Sequence, residues 1–137
     1  MTRTIQQRVT FSASPERLFK LYTDSKQHSA ATQGKATVSR RPGSRFAAFG
    51  GALRGRMLAV VPGRMVVQTW RSSGWKKGDA DSILILTFSK AGSGGGRVDL
   101  AHVNVPAHDQ TGVRRGWPKY YWRPWRAYLT RARRRRR

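Results

Sequence analysis

The chain has 137 residues, enough for one domain with its own core and too few for two domains of ordinary size. It has no cysteine, which excludes disulfides, thiol catalysis and thiolate metal sites. Its formal net charge is +22, from 28 Lys and Arg residues against 6 Asp and Glu residues, so its surface attracts polyanions.

Arginine dominates this charge and is concentrated at the C-terminus. Six of the last seven residues are arginine, yet without these six the chain still holds 22 basic and 6 acidic residues, a net charge of +16. Such a surface attracts phosphate groups because it releases their counterions. Arginine outnumbers lysine 21 to 7, which the codon bias of a GC-rich genome would also produce. The charge alone therefore does not establish a polyanionic partner.

The N-terminal segment MTRTIQQRVTF lacks the apolar core of a signal peptide. No stretch approaches the ~18 apolar residues of a membrane-spanning helix. We therefore expect a soluble, cytoplasmic protein without a transmembrane segment.

The first part of the chain predicts one strand and two short helices. Residues 3–11 alternate in polarity, as a half-buried strand does. Ser14 can cap the free amides of a helix that starts at Pro15, because proline suits the first helical position. Asp24 or Ser25 can cap a second short helix directly after the first.

The middle of the chain predicts an antiparallel meander. Short alternating stretches are separated by turn-forming sequences such as Pro62-Gly63 and the glycine-rich run at 92–96. Gly55 lies inside one stretch and indicates a bulge or a close approach of the C-terminal helix. The predicted strands are near residues 35–39, 45–49, 52–61, 64–71, 82–89 and 97–105.

The C-terminal segment predicts a long helix that covers one face of this sheet, which makes the fold α+β. From about residue 112 to 129, large apolar side chains share one arc and basic side chains the other. Pro118 and Pro124 lack an amide proton, so we expect a break or kink near one of them. The apolar arc holds Trp117, Tyr120, Tyr121, Trp122, Trp125, Tyr128 and Leu129.

Signals for catalysis or metal binding are poor. The one close carboxylate pair, Asp79 and Asp81, lies in a polar loop where turn formation or solvation explains it better than acid and base chemistry. His28, His102 and His108 do not have a familiar metal-ligand spacing. We expect no catalytic site, no metal and no cofactor.

A curved sheet that grips an aromatic helix often leaves a space where small apolar ligands bind. The alternative is a filled core, and the sequence does not choose between the two. The residues predicted to line such a cavity are Leu21, Phe49, Trp70, Leu86, Trp117, Tyr121 and Tyr128.

Four segments occur in the order and spacing of a known family, over about residues 5–129. They contain Val9, Thr10, Phe11, Ala13 and Pro15; Phe49, Gly51, Leu53 and Gly55; Trp70, Arg71 and Trp75; and Gly116, Trp117, Tyr120, Tyr121 and Trp122. The chain thus resembles a single-domain relative of the C-terminal domain of the activator of heat shock protein 90 ATPase homologue family, within the START-like (SRPBCC) superfamily. The Trp-Arg and Gly-Trp segments together are specific, whereas any one segment alone is weak.

The resemblance implies a helix-grip fold, a curved antiparallel sheet of six to seven strands wrapped round a long C-terminal helix, with two short helices after the first strand. It implies one START-like helix-grip domain, which we place at residues 1–130, before a disordered arginine-rich tail at residues 131–137. It implies a noncatalytic domain that binds a hydrophobic small molecule or a protein partner, as a chaperone-type regulator. Its family motif consists of Trp70, Arg71, Trp75, Gly116 and Trp117.

A second class of function stays open beside this one. The basic body and the arginine tail would bind nucleic acid or another anionic surface, at least nonspecifically. The tail residues that would do so are Arg131, Arg133, Arg134, Arg135, Arg136 and Arg137.

Overall fold

The computed structural model describes residues 1–135. Its strands form one curved, antiparallel sheet of six strands. The strand order is β1-β6-β5-β4-β3-β2, so β1 pairs with the last strand of the chain and β2 forms the far edge. The strands are β1 (Thr2–Phe11), β2 (Arg45–Ala48), β3 (Leu53–Val61), β4 (Met65–Ser72), β5 (Ser82–Ala91) and β6 (Gly95–Pro106).

The helices lie after β1 and at the C-terminus, which confirms the predicted helix-grip arrangement. Within the described part of the chain, no helix is both long and apolar enough to cross a membrane. The α-helices are α1 (Pro15–Thr23), α2 (Ser25–Thr32), α3 (Gln110–Trp117) and α4 (Arg123–Arg135). Short 3₁₀ turns occur at Phe49–Gly51 and Ala107–Asp109, and a π-helical turn at Pro118–Trp122 joins α3 to α4.

The two N-terminal helices begin where their capping residues predict. Ser14 Oγ accepts a hydrogen bond from the N–H of Arg17 at 3.1 Å, and Pro15 opens α1. Asp24 ends α1 and also caps α2, because its carboxylate accepts two backbone N–H groups from the first turn of α2. One residue therefore serves both helices, and they follow each other without a loop.

Alternate residues of the central strands point into a core beneath the helices, as the period of two requires. The helices contribute Leu18, Tyr22 and Trp125 to the same core. The buried residues that alternate along the central strands are Val66, Gln68 and Trp70 of β4, Ser82, Leu84, Leu86 and Phe88 of β5, and Val98, Leu100 and His102 of β6, and β6 also buries Val105 near its end.

The strand predicted at residues 35–39 is not formed. Thr37 makes a single bridge to Ala47, and the neighbouring backbone bonds to side chains of α2 instead. Ser25 Oγ both accepts from the N–H of Val38 and donates to its carbonyl, at 2.8 and 2.9 Å. Hydroxyl groups thus satisfy the backbone groups that a ladder would otherwise use.

Gly55 marks a close approach, but the neighbour is strand β4 and not the C-terminal helix. A β-carbon at this position would overlap the carbonyl oxygen of Thr69. The irregular register of β3 against β4 lies further along, between Met57 and Ala59. The sequence correctly indicated that another segment approaches Gly55 closely. The prediction that this segment is the C-terminal helix was wrong.

The predicted break in the C-terminal helix is the π-helical turn that begins at Pro118. The N–H of Arg123 bonds to the carbonyl of Pro118, five residues back, which inserts one extra residue into the turn. Tyr121 and Trp122 are both buried, whereas Tyr120 is 47% exposed. The prediction that Tyr120 shares the buried arc was wrong: the residue lies at the edge of that arc, and its ring packs against Phe49 at the cleft.

The arginine-rich C-terminus differs from the predicted disordered tail over the part that the structure describes. Arg131, Arg133, Arg134 and Arg135 belong to α4 and have exposed side chains. Arginine is a good helix former, and extending an existing helix requires no new nucleus. Residues 136–137 lie outside the described residues, so the division into a domain at residues 1–130 and a separate tail stays a prediction.

Candidate ligand-binding cleft

An apolar cleft of about 400 Å³ lies between the β2–β4 side of the sheet and the C-terminal helical segment. Its walls come from the 3₁₀ turn after β2, the end of β4, helix α3 and the π-helical turn. Ligand pockets commonly measure about 300–1,000 Å³, so this volume suits a small molecule. The cleft is lined by Phe49, Ala52, Leu53, Trp70, Ser72, Asp109, Gly112, Val113, Gly116, Trp117, Tyr120 and Tyr121.

The structure brings together four of the seven residues predicted to line a cavity, namely Phe49, Trp70, Trp117 and Tyr121. The other three lie elsewhere. Leu21 and Leu86 are 0% exposed in the core, where they have no surface to offer a ligand. Tyr128 is half-buried on α4, beneath the guanidinium of Arg17. Tyr128 is about two helical turns beyond Tyr121, so it shares the face of the helix but not the same end.

A buried hydrogen-bond chain connects the indole of Trp117 to the backbone of Trp70 in the cleft. Trp117 Nε1 donates to His102 Nδ1 at 3.2 Å, so His102 carries its proton on Nε2. His102 Nε2 then donates to Ser82 Oγ at 2.8 Å, and Ser82 Oγ donates to the carbonyl of Trp70 at 2.7 Å. These bonds hold the Trp117 ring and the Trp70 backbone in place, whereas the buried indole Nε1 of Trp70 has no hydrogen-bond partner within the described residues.

The Ser82–His102 pair has the composition of a catalytic dyad but not its geometry. Both side chains are 0% exposed, and the serine proton already points to a carbonyl. The histidine donates to the serine and therefore cannot act as its base. Burial lowers the pKa of His102 from 6.5 to about 3, which keeps the ring neutral. This pair is part of the support for the cleft.

A second buried chain supports Tyr121. The carbonyl of Tyr22 can only accept, so His28 Nδ1 donates to it at 2.7 Å, and His28 Nε2 accepts from the Tyr121 hydroxyl at 2.9 Å. Burial lowers the pKa of His28 to about 4 although the bond to Tyr22 opposes this shift. Burial also raises the pKa of Tyr121 above its usual value. The Tyr22 hydroxyl donates to Gln68 on β4, which connects helix and sheet.

Phe49 forms the rim of the cleft in an uncommon backbone conformation. Its φ is 52°, and Gly50 and Gly51 follow with φ of 68° and 99°. Left-handed geometry costs a residue with a β-carbon about 1–3 kcal/mol, so packing must hold Phe49 there. Its ring meets Tyr120 edge-on with centroids 5.6 Å apart, and it lies so close to Gly34 that a β-carbon there would crowd it.

Arg71, of the family motif, organises the loop between β4 and β5. Its guanidinium donates to the carbonyl of Lys76 at 2.6 Å and to the carbonyl of Asp79 at 2.5 Å. It also pairs with the carboxylate of Asp81 at 3.2 Å. The planar guanidinium directs several N–H donors at these acceptors at once and so fixes the loop. The compact ammonium group of a lysine does not have this geometry.

The same loop contacts the lining residue Asp109 through Trp75. Its indole Nε1 donates to Asp109 Oδ2 at 2.8 Å, and the Asp109 carboxylate crowds the position where Gly112 lacks a side chain. His108 bonds to Asp79 at 2.7 Å, and this bond lowers the pKa of the Asp79 carboxyl. The loop is thereby tied to the start of α3.

Sequence reasoning missed several lining residues, including Val113 and Asp109. Val113 lies three and four residues before Gly116 and Trp117, and this helical spacing could have identified it. Asp109 had no such signal, because its place depends on how the 3₁₀ turn meets Trp75. Within the described residues, no three His, Cys, Asp or Glu side chains form a group that could hold a metal ion.

The chain matches the family described as Activator of Hsp90 ATPase homolog 1-like protein over residues 12–130. It is 28% identical over 118 residues to the activator of 90 kDa heat shock protein ATPase homolog of Dictyostelium discoideum, and 29% identical over 112 residues to homolog 1 of Homo sapiens. These matches cover 86% and 82% of this chain but 30% and 32% of those proteins. The chain therefore spans about a third of the length of the curated relatives it matches.

Solved structures share the fold at low sequence identity. An HSP90 activator from Plasmodium falciparum aligns with a TM-score of 0.84 and 20% identity, covering 93% of this chain and 96% of that one. CalU16 from Micromonospora echinospora aligns with a TM-score of 0.79 and 22% identity, covering 93% and 74%. Because the family match extends over most of the chain, the chain belongs to the Activator of Hsp90 ATPase homolog 1-like protein family.

Proposed function

We propose that the chain is a noncatalytic binding domain whose cleft takes a hydrophobic small molecule or an apolar side chain of a partner protein. The observation that carries this proposal is the aromatic cleft of about 400 Å³ between sheet and helix. Four of its aromatic residues, Phe49, Trp70, Trp117 and Tyr121, are held by buried hydrogen bonds or ring contacts. A preformed apolar site loses little free energy to reorganisation when it binds.

A few polar atoms in the cleft give an incoming ligand its orientation. Asp109 Oδ2 accepts the Trp75 indole, whereas Oδ1 accepts no side-chain hydrogen bond from residues 1–135. Tyr120, which is 47% exposed, also lines the cleft and carries a hydroxyl group. An apolar ligand with one hydrogen-bond donor fits this combination best, because burying an unpaired polar group costs free energy.

The names of the relatives favour a protein partner as one form of this function. Proteins named as activators of the 90 kDa heat shock protein ATPase share the family and the fold. We propose that the chain acts as a chaperone-type regulator in which the cleft and its rim contact the partner. Because the chain spans about a third of those relatives, its partner must be tested directly.

The test is a titration with the neutral fluorophore Nile red, because a charged probe would respond to the net charge of the protein. Ala52→Trp places a large ring at the mouth of the cleft on an exposed residue, and it should weaken binding about tenfold or more. Ala127→Trp adds the same ring to an exposed residue of α4 outside the cleft and should bind like the parent. Equal affinity in all three proteins would reject the cleft as the site.

A second candidate function is binding of nucleic acid or an anionic surface through the basic body and tail. The exposed arginines of α4 between residues 131 and 135 support it, and Arg136 and Arg137 lie outside the described part. A shaped site for ~6–10 phosphates should retain measurable duplex binding at ~0.2 M salt, whereas diffuse attraction should vanish there. We expect it to vanish because Trp117 and Tyr121, which could stack on bases, are buried.

A further inference from the structure

A second hollow, of about 760 Å³, lies away from the cleft, where the end of β1, the β5–β6 turn and α4 meet. Its walls are polar and include the hydroxyl-bearing residues Thr10, Ser12 and Ser93. Two arginines of α4, Arg126 and Arg133, complete it. None of its lining residues is acidic.

The two arginines have no protein acceptor for their charge among residues 1–135. The acidic groups that form ion pairs in this part are engaged elsewhere, as Asp99 is with Arg8 and Arg97. No side-chain hydrogen bond of the Arg126 or Arg133 guanidinium occurs within the described residues. Each guanidinium therefore presents its donors to solvent or to a ligand.

Arg126 is held in position by an aromatic ring. Its guanidinium carbon lies 4.8 Å from the centroid of the Phe11 ring. Arg133 follows seven residues later, which places it on the same side of α4, about 10.5 Å further along the helix axis. A stacked guanidinium retains its in-plane donors for a ligand and loses less conformational entropy when it binds.

The opposite wall is the turn that connects β5 to β6. Gly92 and Gly94 have φ of 59° and 76°, and no heavy atom lies within 4 Å of a β-carbon built at either position. The turn thus leaves space in front of its backbone. A ligand can approach the chain closely on this side because glycine presents no side chain.

We propose that this hollow binds a small molecule with two or three phosphate groups, held by Arg126 and Arg133. A guanidinium binds phosphate through two parallel N–H donors, so two arginines suit a ligand with at least two phosphates. The hydroxyls of Thr10, Ser12 and Ser93 are available to donate further hydrogen bonds. This site is separate from the hydrophobic cleft and does not depend on it.

The shape of the hollow favours a compact ligand over a nucleic acid strand. Phe11, the aromatic residue of its lining, is 5% exposed and lies under Arg126, so it offers no face to a base. Binding of single strands usually combines phosphate contacts with such stacking. The strand end and the turn also bound the hollow on two sides.

The test must separate a site from the general attraction of a protein with a net charge of +22. Inorganic triphosphate is titrated calorimetrically at about 0.15 M salt, where charges beyond ~8 Å are largely screened. Arg126→Gln with Arg133→Gln removes two charges from the hollow. Arg115→Gln with Arg123→Gln removes two exposed helical charges outside it and serves as the matched control.

We expect one triphosphate per chain and a loss of about 100-fold or more in the first double variant, since each arginine supplies charge-assisted hydrogen bonds. The control should lose no more than about twofold, as screening reduces distant charges. Equal losses in both variants, or no saturable binding by the parent, would overturn the proposal.

Two competitors identify the source of the phosphate. Vesicles with phosphorylated inositol headgroups should compete no better than free triphosphate at equal phosphate concentration. If vesicles or duplex DNA bind much more tightly through the same two arginines, the site serves a membrane or a nucleic acid and the small-molecule proposal is wrong.

Discussion

Acidification should unfold this domain through its two buried histidines. Each histidine is neutral because one ring nitrogen donates and the other accepts a hydrogen bond. A second proton on His102 would meet the N–H of Trp117, which can only donate. A second proton on His28 would meet the hydroxyl of Tyr121, which can turn to accept. This difference agrees with pKa values of about 3 for His102 and about 4 for His28.

The magnitude follows from proton linkage. Both folded pKa values lie below the ordinary value of 6.5, so the unfolded chain takes up protons that the folded chain refuses. Stability is therefore intact above about pH 6.5 and falls by about 1.36 kcal/mol per pH unit for each histidine below it. At about pH 5 the two together cost about 4 kcal/mol, a large part of a typical 5–15 kcal/mol.

The carboxylates act in a lower pH range. Burial alone would raise the pKa of the Asp99 carboxyl. The hydrogen bonds and charges of Arg8 and Arg97 outweigh burial, so this pKa is lowered below its ordinary value. A lowered carboxyl pKa contributes stability that is lost only as the pH falls below the ordinary value of 3.8. The interval between about pH 6.5 and 4.5 thus reports the histidines.

The assay is urea unfolding at a series of pH values across that interval. His28→Gln retains a donor and an acceptor but cannot titrate, so the slope of the unfolding free energy against pH should fall by about half. Lys26→Gln changes an exposed residue of α2, of a type that does not ordinarily titrate in this interval, and as the control it should retain the slope of the parent. If the unfolding free energy of the parent does not change with pH across the interval, the claim that both buried histidines stay neutral in the folded protein is refuted.

Three further predictions concern stability. Trp117→Ala should cost about 3–5 kcal/mol and nearly unfold the domain, and a melting temperature within a few degrees of the parent would contradict its supporting role. Deletion of residues 131–137 should leave thermal unfolding nearly unchanged, because the arginines described there are exposed; loss of cooperativity would show that they dock. Gly55→Ala should cost about 1–3 kcal/mol because its β-carbon overlaps the Thr69 carbonyl. Gly78→Ala, which has open space, is its control and should melt like the parent.

The sequence predicted the fold because its signals are local. Ser14, Pro15 and Asp24 determine the helix starts through bonds within one turn. Strand alternation identified the inward residues of the central strands. The absence of a strand at residues 35–39 was not predictable in this way, since it depends on Ser25 reaching a distant backbone.

The cleft was only partly predictable, for a related reason. Periodicity assigns a residue to a face of an element, which placed Trp70 and Trp117 correctly. Periodicity does not show which part of that face lines the cleft and which part is covered by the core. The predicted lining therefore also included Leu86 and Tyr128, which do not line the cleft. Tyr120 lies at the edge of the apolar arc, and periodicity does not determine whether an edge residue is buried. Contacts between distant segments, such as Trp75 with Asp109, leave no periodic signal.

The central claim is that a hydrophobic ligand enters the cleft between sheet and helix. Each of the five tryptophans has an indole N–H, which gives a separate cross-peak in a nitrogen-proton correlation spectrum. Titration with Nile red should shift the indole signals of Trp70 and Trp117, which line the cleft, and leave that of Trp125, which is 0% exposed in the core, nearly unmoved. Shifts at Trp125 without shifts at Trp70 and Trp117, or no shift at any indole, would contradict the claim.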